Sequence, residues 1–584
     1  MAFSKQLISR RNFLKGTAGA GTIAAFPLMT GCDSNLTDDA VFGHGIASGD
    51  PLDDRVIIWT RISPNPENNP DAIIHERYSV FWKVATDESM VNVVNSGEAF
   101  AEMAKDYTVK VDVEGLSAQT TYFYQFSVYS EQLDQTFNSK VGKTKTFPAP
   151  YNFVDHAKFA VCSCSNLSFG YFNAYADIAK QSDIDAVLHL GDYIYEYANG
   201  EYGDGSATGR EQGDRETLTL DDYRTRYSLY RRDKDLQAAH VAHPFIVIWD
   251  DHETADNSWM DGAGNHNDGE GEWDDRENAA RQAYFEWMPI RDNAADPGLI
   301  YRRFQYGQLL DLMMLDTRIN GRSEQAEIIG DERFDENRTL LGFDQEQWLY
   351  NQLSDSKMRG AKWRVLGQQV MMAQLGSNPL AFNMDQWDGY YANRTRLYSH
   401  LKENQIDNFV VLTGDIHSSW GNDLAEYPLV PFAYNGETGE GALGVEFVVS
   451  GISSPAPLST TMLRDTLVKL LDGDKFPELK EKVGRLSPAE GDLLNKLLGA
   501  VDGLFNEAIE RLVDRIGIPD LIMKLQPHMQ YVDLSNNGYM LLDVTPERIE
   551  NLWVSVFTTA YSNGSTKIEN VLEVKAGDNH IYRG

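Results

Sequence analysis

Four stretches of the sequence bring together side chains that bind metal ions, and each one follows a short apolar run. They are Ser163-Cys164-Ser165-Asn166, Gly191-Asp192-Tyr193-Ile194-Tyr195, Asp250-Asp251-His252-Glu253 continued by Asp256-Asn257, and Gly414-Asp415-Ile416-His417. Thiolate, carboxylate, phenolate, amide and imidazole groups can together hold several cations in a hydrolytic site. The set therefore predicts a metal centre in which cations activate water.

Each stretch also has an ordinary structural explanation when it is taken alone. Gly-Asp after a strand is often a turn or a helix cap, and a single cysteine is more often a small buried apolar side chain. The acidic residues around His252 are harder to explain, because they repel one another unless a cation lies between them. Cys162 and Cys164 are two residues apart, so a disulfide between them would close a strained ring. A metal thiolate is favoured for at least one of these cysteines.

Short apolar runs, four of which precede these stretches, predict the strands that position them. The runs are 158–162, 186–190, 244–249, 309–315 and 409–413. Continuous apolar runs are typical of strands that are buried on both faces, and the segments between them have helical patterns. Ligands bind beyond the carboxyl ends of strands in open α/β sheets, so the four stretches are expected to converge. We predict α/β architecture with more than one sheet over residues 151–584.

The region 38–148 has a different pattern. Short runs rich in β-branched and aromatic residues, such as Arg55–Arg61 and 121–126, alternate with turns about every ten residues. This spacing predicts an N-terminal β-sandwich of the immunoglobulin or fibronectin type. The proline-rich segment 147–150 predicts a stiff linker after it.

The sequence pattern of residues 456–525 predicts a helical insertion. Ser487-Pro488-Ala489-Glu490 has the form of a capping box with proline at the first helical position. Apolar residues then follow at i, i+3 and i+4 spacing as far as Gly517 and Pro519. A helix packed on the main domain, a mobile lid and a membrane-facing helix all stay open as explanations.

The first 32 residues have the features of an export signal. Ser9-Arg10-Arg11-Asn12-Phe13-Leu14-Lys15 matches a twin-arginine motif, and the apolar run after it is too short for a permanent membrane-spanning helix. We therefore expect export by the twin-arginine machinery, which carries folded proteins. Leu28-Met29-Thr30-Gly31-Cys32 has the form of a lipoprotein processing box, which predicts lipidation of Cys32. The mature protein would then lie in the periplasm or cell envelope, with Cys32 as a tether to the inner membrane.

The net charge limits the classes of partner. The chain has 52 basic and 87 acidic residues, for a formal net charge of −35. This excess would repel a nucleic-acid backbone, so we exclude nucleic acid as a partner. Bound cations would offset the charge locally at an anionic substrate, while a solvated acidic surface is the simpler explanation of the excess.

The motifs, taken in order, resemble those of the calcineurin-like metallophosphoesterases, and more closely those of the PhoD-type alkaline phosphatases. The resemblance extends to Gly45-Ile46-Ala47-Ser48-Gly49-Asp50-Pro51, to Leu315-Asp316-Thr317-Arg318 and to Gln386-Trp387-Asp388-Gly389-Tyr390. It covers about residues 41–455 and 527–560. It implies a metallophosphoesterase domain of stacked mixed sheets flanked by helices, and hydrolysis of phosphomonoesters or phosphodiesters by metal-activated hydroxide for phosphate acquisition.

The resemblance also implies one Fe³⁺ ion with one or two Ca²⁺ ions beside it. The residues carried over as iron ligands are Cys164, Asp192, Tyr195 and His417. Asp192 would bridge to a calcium site shared with Asp415, and either Asp251 or Asn257 would be its third ligand. The chemistry agrees, because thiolate and phenolate favour Fe³⁺ whereas carboxylate and amide oxygens suit Ca²⁺.

His252 is the candidate for a residue that contacts the phosphoryl group or protonates the leaving group. Orienting the neighbouring carboxylates is the alternative role for it. His528 is a weaker candidate.

Two other functions stay open. A phospholipase D-like diesterase acting on phospholipid headgroups would suit the amphipathic insertion and the lipid tether. A surface adhesin or binding lipoprotein would use the N-terminal region and would have no turnover. The sequence does not indicate the natural substrate or the oligomeric state.

Overall fold

The fold is taken from a computed structural model of the protein. It describes residues 37–63, 75–130, 134–293, 295–327, 331–377, 380–381, 383–430, 432–455, 518–562 and 564–583. The predicted export signal with Cys32, and residues 456–517 of the predicted insertion, lie outside the described residues.

The described residues form 24 strands and eight α-helices. The strands are β1 (Ile46–Gly49), β2 (Arg55–Arg61), β3 (Arg77–Ala85), β4 (Val93–Glu102), β5 (Thr108–Glu114), β6 (Thr121–Ser130), β7 (Gln135–Asn138), β8 (Gly142–Lys145), β9 (Ala157–Cys162), β10 (Ala186–His189), β11 (Pro244–Val247), β12 (Arg302–Tyr306), β13 (Leu310–Met314), β14 (Trp363–Gln368), β15 (Gly376–Ser377), β16 (Leu380–Ala381), β17 (Phe409–Thr413), β18 (Ser419–Ala425), β19 (Ala442–Val448), β20 (Met529–Asp533), β21 (Gly538–Val544), β22 (Arg548–Val556), β23 (Thr566–Lys575) and β24 (Ile581–Arg583). The helices are α1 (Asp38–Val41), α2 (Asn173–Ile178), α3 (Leu220–Tyr230), α4 (Lys234–Ala242), α5 (Trp273–Trp287), α6 (Phe343–Arg359), α7 (Tyr391–Glu403) and α8 (Ile518–Leu525).

Two large mixed sheets carry the metal-binding motifs. The first has ten strands in the order β24-β23-β22-β21-β9-β10-β11-β1-β2-β5, and the second has seven in the order β12-β13-β14-β17-β19-β18-β20. Strands β9, β10 and β11 are parallel neighbours in the first sheet, and β13, β14 and β17 are parallel neighbours in the second. The predicted mixed α/β architecture is confirmed.

The alternation of side chains along β13 shows how the layers stack. Leu312 lies in the core that contains the ten-stranded sheet, whereas its neighbour Met313 lies in a second core with Leu349 of α6 and Leu397 of α7. Successive side chains of a strand point to opposite faces, so the seven-stranded sheet is covered on both sides. This double burial explains the continuous apolar runs of the sequence.

The N-terminal region contributes strands to the main sheet. β1 pairs in parallel with β11, and β2 and β5 extend the same sheet from β1. A side chain at Gly49 would place its Cβ 2.2 Å from the carbonyl oxygen of Pro289, so this approach requires glycine. A further sheet, β4-β3-β6-β7 with β8 beside β6, packs over β2 and β5 through residues such as Val56, Val80 and Tyr124. The immunoglobulin or fibronectin type and the boundary at 148 stay predictions.

Of the predicted insertion, the structure describes only α8. Ile522 and Met523 of this helix pack against the core of α6 and α7. Among the described residues, no helix is long and apolar enough to cross a bilayer.

Candidate metal centre

The four motifs meet beyond the carboxyl ends of strands from both large sheets. Cys164 follows β9, Asp192 follows β10, and His417 follows β17 of the facing sheet. One ligand atom from each of these three residues lies within 4.8 Å of the other two. The hydroxyl oxygen of Tyr195 lies 3.0 Å from Asp192 Oδ2 and 3.2 Å from His417 Nε2. The structure thus brings together the four residues assigned to iron.

A second and a third group lie directly beside the first. Asp192, Asp251 and His252 form one of them, and Asp250, Asp251 and Asp415 form the other, each with ligand atoms within 4.8 Å. Asp192 therefore belongs to two groups, as a bridging ligand must. Asp251 also belongs to two groups.

Asn257 forms a hydrogen bond to Asp251 through its backbone N–H. Its backbone N–H donates to Asp251 Oδ2 at 2.6 Å, while its side-chain amide donates to Asp256 Oδ2 at 2.9 Å. Both candidates for the third calcium ligand therefore lie at the centre, and the choice between Asp251 and Asn257 stays open.

Five of the predicted ligands have left-handed backbone conformations. Their φ angles are +60° at Cys164, +55° at Asp192, +55° at Asn257, +60° at Asp415 and +51° at His417. Residues other than glycine adopt this region uncommonly, and such strain concentrates at functional sites. Four of them, Cys164, Asp192, Asp415 and His417, lie within four residues of the end of a strand, where the sharp turn of the backbone directs their side chains to a common point.

Two buried carboxylate oxygens of the centre lack a hydrogen-bond partner within the described part of the chain. They are Asp192 Oδ1 and Asp250 Oδ2. An unpaired buried carboxylate oxygen is costly unless a cation satisfies it. If each ligand atom lay about 2.1 Å from a shared cation, neighbouring ligand atoms would be about 3.0–3.4 Å from one another. The contacts of Tyr195 lie in that range, and the 3.8 Å between His417 Nε2 and Asp192 Oδ2 is close to it. The donor set therefore fits bound cations.

The protonation states of Cys164 and Tyr195 depend on those cations. Burial, and then the nearby Asp192 carboxylate, raises the pKa of both groups well above the usual range. Without a cation the thiol and the phenol keep their protons, so metal binding must release them. Cys162 and Cys164 are both free, with no disulfide between them.

His252 is held as a proton-bearing group. Its Nδ1 lies 2.8 Å from Glu196 Oε2, and the ring packs against Tyr195 with 4.2 Å between centroids. Burial opposes the charged form, but Glu196 and Asp251 outweigh it and raise the pKa of His252 well above its ordinary value. His528 lies outside the centre, because its Nε2 bonds to the carbonyl oxygen of Gln374 at 2.8 Å.

Arg318 is a residue of the centre whose role the motifs did not indicate. Its fully buried guanidinium contacts the carboxylates of Asp250 and Asp385, and its Nη2 lies 2.6 Å from Asp415 Oδ1 and 3.5 Å from Asp251 Oδ1. One fixed cation thus neutralises part of a cluster of four carboxylates. The signal was present, because Arg318 follows the apolar run of β13. Arginine is a donor only and does not bind cations, so ligand chemistry does not single it out.

Glu253 ties two of the motifs together. Its carboxylate accepts backbone N–H bonds from Asp192 at 3.0 Å, from Asp250 at 2.7 Å and from Tyr193. The turns after β10 and β11 therefore share one acceptor. This role in positioning Asp192 could not be seen from the motif alone.

We expect the metal-free protein to lose stability as pH rises from about 5 to about 8. Burial is the main cause that raises the pKa of Glu253 to about 8, of Asp256 to about 7 and of Asp415 to about 6. These groups hold protons in the folded state that the unfolded chain has already lost. Their contribution to the free energy of unfolding is fully present below the pKa of the unfolded chain, about 4. It is lost as the pH rises through the pKa values of the folded state.

Urea unfolding of chelator-treated protein at about pH 5.5 and about pH 8 checks this expectation. The metal-loaded protein is the control, and its stability should fall less, because bound cations favour the ionised carboxylates. An equal or higher unfolding midpoint at the higher pH in the chelated protein would contradict it.

Comparison with known proteins agrees with the geometry. The family model of PhoD-like phosphatases matches residues 159–481, and the model of their N-terminal domain matches residues 30–148. Alkaline phosphatase D of Bacillus subtilis (strain 168) is 38% identical over 475 residues, which are 78% of this chain and 77% of that protein. A solved structure of PhoD superposes with a TM-score of 0.74 at 31% identity, covering 97% of this chain and 93% of that one. The resemblance inferred from the motifs is confirmed: the chain belongs to the PhoD-like phosphatase family and is a metal-dependent phosphoester hydrolase.

Proposed function

We propose that the protein is an exported alkaline phosphatase of the PhoD type, which hydrolyses small phosphomonoesters and phosphodiesters for phosphate acquisition. The observation that carries the proposal is the convergence of Cys164, Asp192 and His417 within 4.8 Å, with Tyr195 in contact. The likeness to alkaline phosphatase D supports the same activity. Export by the twin-arginine route and a tether through Cys32 rest on the sequence of residues 1–32.

The donor chemistry supports one Fe³⁺ ion and one or two Ca²⁺ ions. The thiolate of Cys164 and the phenolate of Tyr195 are electron-rich donors that suit Fe³⁺, with Asp192 and His417 completing the group. The oxygen ligands of the neighbouring groups, from Asp415 and from Asp251 or Asn257, suit Ca²⁺. When bound, such cations supply Lewis acidity, which activates water and offsets charge on the phosphoryl group.

The chain's own contribution to turnover centres on His252. Glu196 Oε2 lies 2.8 Å from Nδ1, and the other ring nitrogen, Nε2, lies 4.0 Å from Asp256 Oδ1. Although burial opposes the charged form, Glu196 and Asp251 raise the pKa of His252, which favours the protonated ring, and from that form Nε2 can donate to the phosphoryl group or to the leaving oxygen. The rings of Tyr197 and Tyr202 also pack against His252, at centroid distances of 5.6 and 6.2 Å, and limit the access of water.

A substrate panel with and without chelator tests the function. We expect metal-loaded protein to hydrolyse a soluble aryl phosphate and an aryl phosphodiester. EDTA should abolish both activities, and Fe³⁺ with Ca²⁺ should restore them, because the carboxylates around Arg318 cannot activate water by themselves.

The same panel separates the alternatives. Phosphatidylcholine vesicles hydrolysed in preference to both soluble esters would replace the proposal with a phospholipase D-like diesterase. No turnover of any of the three by protein shown to hold metal would favour a binding lipoprotein. Full activity after chelation would exclude the calcium assignment.

A further inference from the structure

We infer that residues 451–455 form a clasp that positions the iron-binding side of the centre, and that Ser454 is the positioning residue for Tyr195. The segment is Gly451-Ile452-Ser453-Ser454-Pro455. It holds three of the four residues assigned to iron, each by a different contact. The inference rests on the proposed metal centre and adds to it residues that lie outside the four motifs.

The first contact fixes the backbone at Cys164. The N–H of Ile452 donates to the carbonyl oxygen of Ser163 at 2.9 Å, and the N–H groups of Ser454 and Ser453 donate to that of Cys164 at 3.2 and 3.3 Å. Cys164 has a φ of +60°, which is unfavourable for a cysteine. These bonds offset the strain and keep the sulfur directed at the centre.

The second contact selects the binding nitrogen of His417. Its Nδ1 lies 3.1 Å from the carbonyl oxygen of Pro455, which can only accept a hydrogen bond. Nδ1 therefore carries the hydrogen of the neutral ring, and Nε2 keeps a lone pair that faces Tyr195 and Asp192. A hydrogen bond on the outer nitrogen is the usual device that orients a metal-binding imidazole.

The third contact acts on the oxygen of Tyr195. Ser454 Oγ donates to this oxygen at 2.7 Å, and both side chains are fully buried. Tyr195 can give its own hydrogen to Asp192 or to His417. Ser454 Oγ approaches the same oxygen as a separate donor, so it fixes the position of that oxygen beside the other two ligands.

The clasp is itself anchored on its outer side. The side-chain amide of Asn537 donates to the carbonyl oxygens of Gly451 at 2.9 Å and Ser454 at 2.6 Å. Ser453 Oγ donates to the carbonyl oxygen of Asn166 at 2.7 Å. Ser453 is thus buried like Ser454 and also makes a hydroxyl bond, but its side chain touches none of the metal-binding groups.

The two neighbouring serines allow a test with a matched control, because Ser453 differs from Ser454 in the group that its hydroxyl contacts. The variants are Ser454→Ala and Ser453→Ala, each alone and with Tyr195→Phe. The readout is the half-life of bound metal against a chelator, followed by elemental analysis. We expect Ser454→Ala to shorten metal retention by about 10–100-fold. Ser453→Ala removes one outer anchor of the clasp but no side-chain contact to a metal-binding group, so its effect should be much smaller. In the Tyr195→Phe background, Ser454→Ala should add little, because its partner oxygen is gone.

Two results would overturn the inference: equal effects of the two alanine variants, or an undiminished effect of Ser454→Ala beside Tyr195→Phe. If Ser454→Ala folds only in part, the visible absorption of the folded fraction decides. A violet band from Tyr195 bound to Fe³⁺ should move to longer wavelength without the hydrogen bond, because the phenolate becomes a stronger electron donor. An unmoved band contradicts the role.

Failure of the proposed function would look different. Colourless parent protein without iron would refute the iron assignment, while the variant comparison on whichever metal is retained would still decide the clasp. Iron-containing protein that hydrolyses no phosphoester would refute the function and leave the clasp standing.

Discussion

Replacing Asp192 with asparagine should reduce the hydrolysis of an aryl phosphate by about 10,000-fold or more. Asp192 belongs to two of the three ligand groups, and its Oδ1 is one of the unpartnered buried oxygens among the described residues. Asparagine has the same shape and tolerates a φ of +55°, so the turn after β10 should survive. The amide lacks the negative charge and offers only one acceptor oxygen, so it cannot bridge two cations.

The measurement is kcat/KM together with metal content per chain. The matched control is Asp423→Asn, which changes a fully buried carboxylate that accepts from Tyr434 at 2.6 Å and lies in none of the ligand groups. The control should keep its activity per folded molecule. An Asp192→Asn variant with full metal content and near-normal turnover would remove Asp192 from the centre.

Replacing Arg318 with methionine should destabilise the metal-free protein by about 3–5 kcal/mol. The guanidinium is fully buried and contacts four carboxylates, so its loss leaves a cluster of buried negative charges with no counter-ion at that position. Methionine fills most of the volume, so the change reports on charge more than on packing. Added Ca²⁺ should restore part of the loss, because a cation can replace the missing charge.

Urea unfolding in chelator, repeated with excess Ca²⁺, gives both quantities. Arg364→Met is the control, since this buried arginine binds backbone carbonyls and the exposed Asp407 away from the centre. It should lower stability without calcium rescue. Equal rescue in the two variants would mean that the cluster around Arg318 does not attract the cation.

The sequence predicted the residues whose chemistry is visible in isolation. Cys164, Asp192 and His417 have side chains that bind metals, and each lies just after an apolar run, so convergence followed from the geometry of parallel strands. Arg318 and Glu253 could not be assigned in this way. Their importance comes from partners about 60 or more residues away along the chain, such as Asp192 for Glu253 and Asp415 for Arg318.

The clasp could not be predicted from the sequence for a related reason. Gly451-Ile452-Ser453-Ser454-Pro455 has the composition of an ordinary turn, and nothing local distinguishes Ser454 from Ser453. Only the fold shows that one hydroxyl meets Tyr195 and the other meets a backbone carbonyl. In the same way, nothing local to β1 indicates that it pairs with β11, because β11 lies about 200 residues further along the chain.

That pairing has a consequence for how the enzyme could be divided or rebuilt. The third motif follows β11. In the ten-stranded sheet β11 has β10 as its neighbour on one side and β1 on the other. A piece cut after the proline-rich linker would leave the strand beneath Asp251 and His252 as a bare sheet edge, open to pairing with another chain. The N-terminal region therefore supports the strand that positions the catalytic residues. In a chimaera built from two relatives, β1 and the domain that contains β11 would have to come from the same protein.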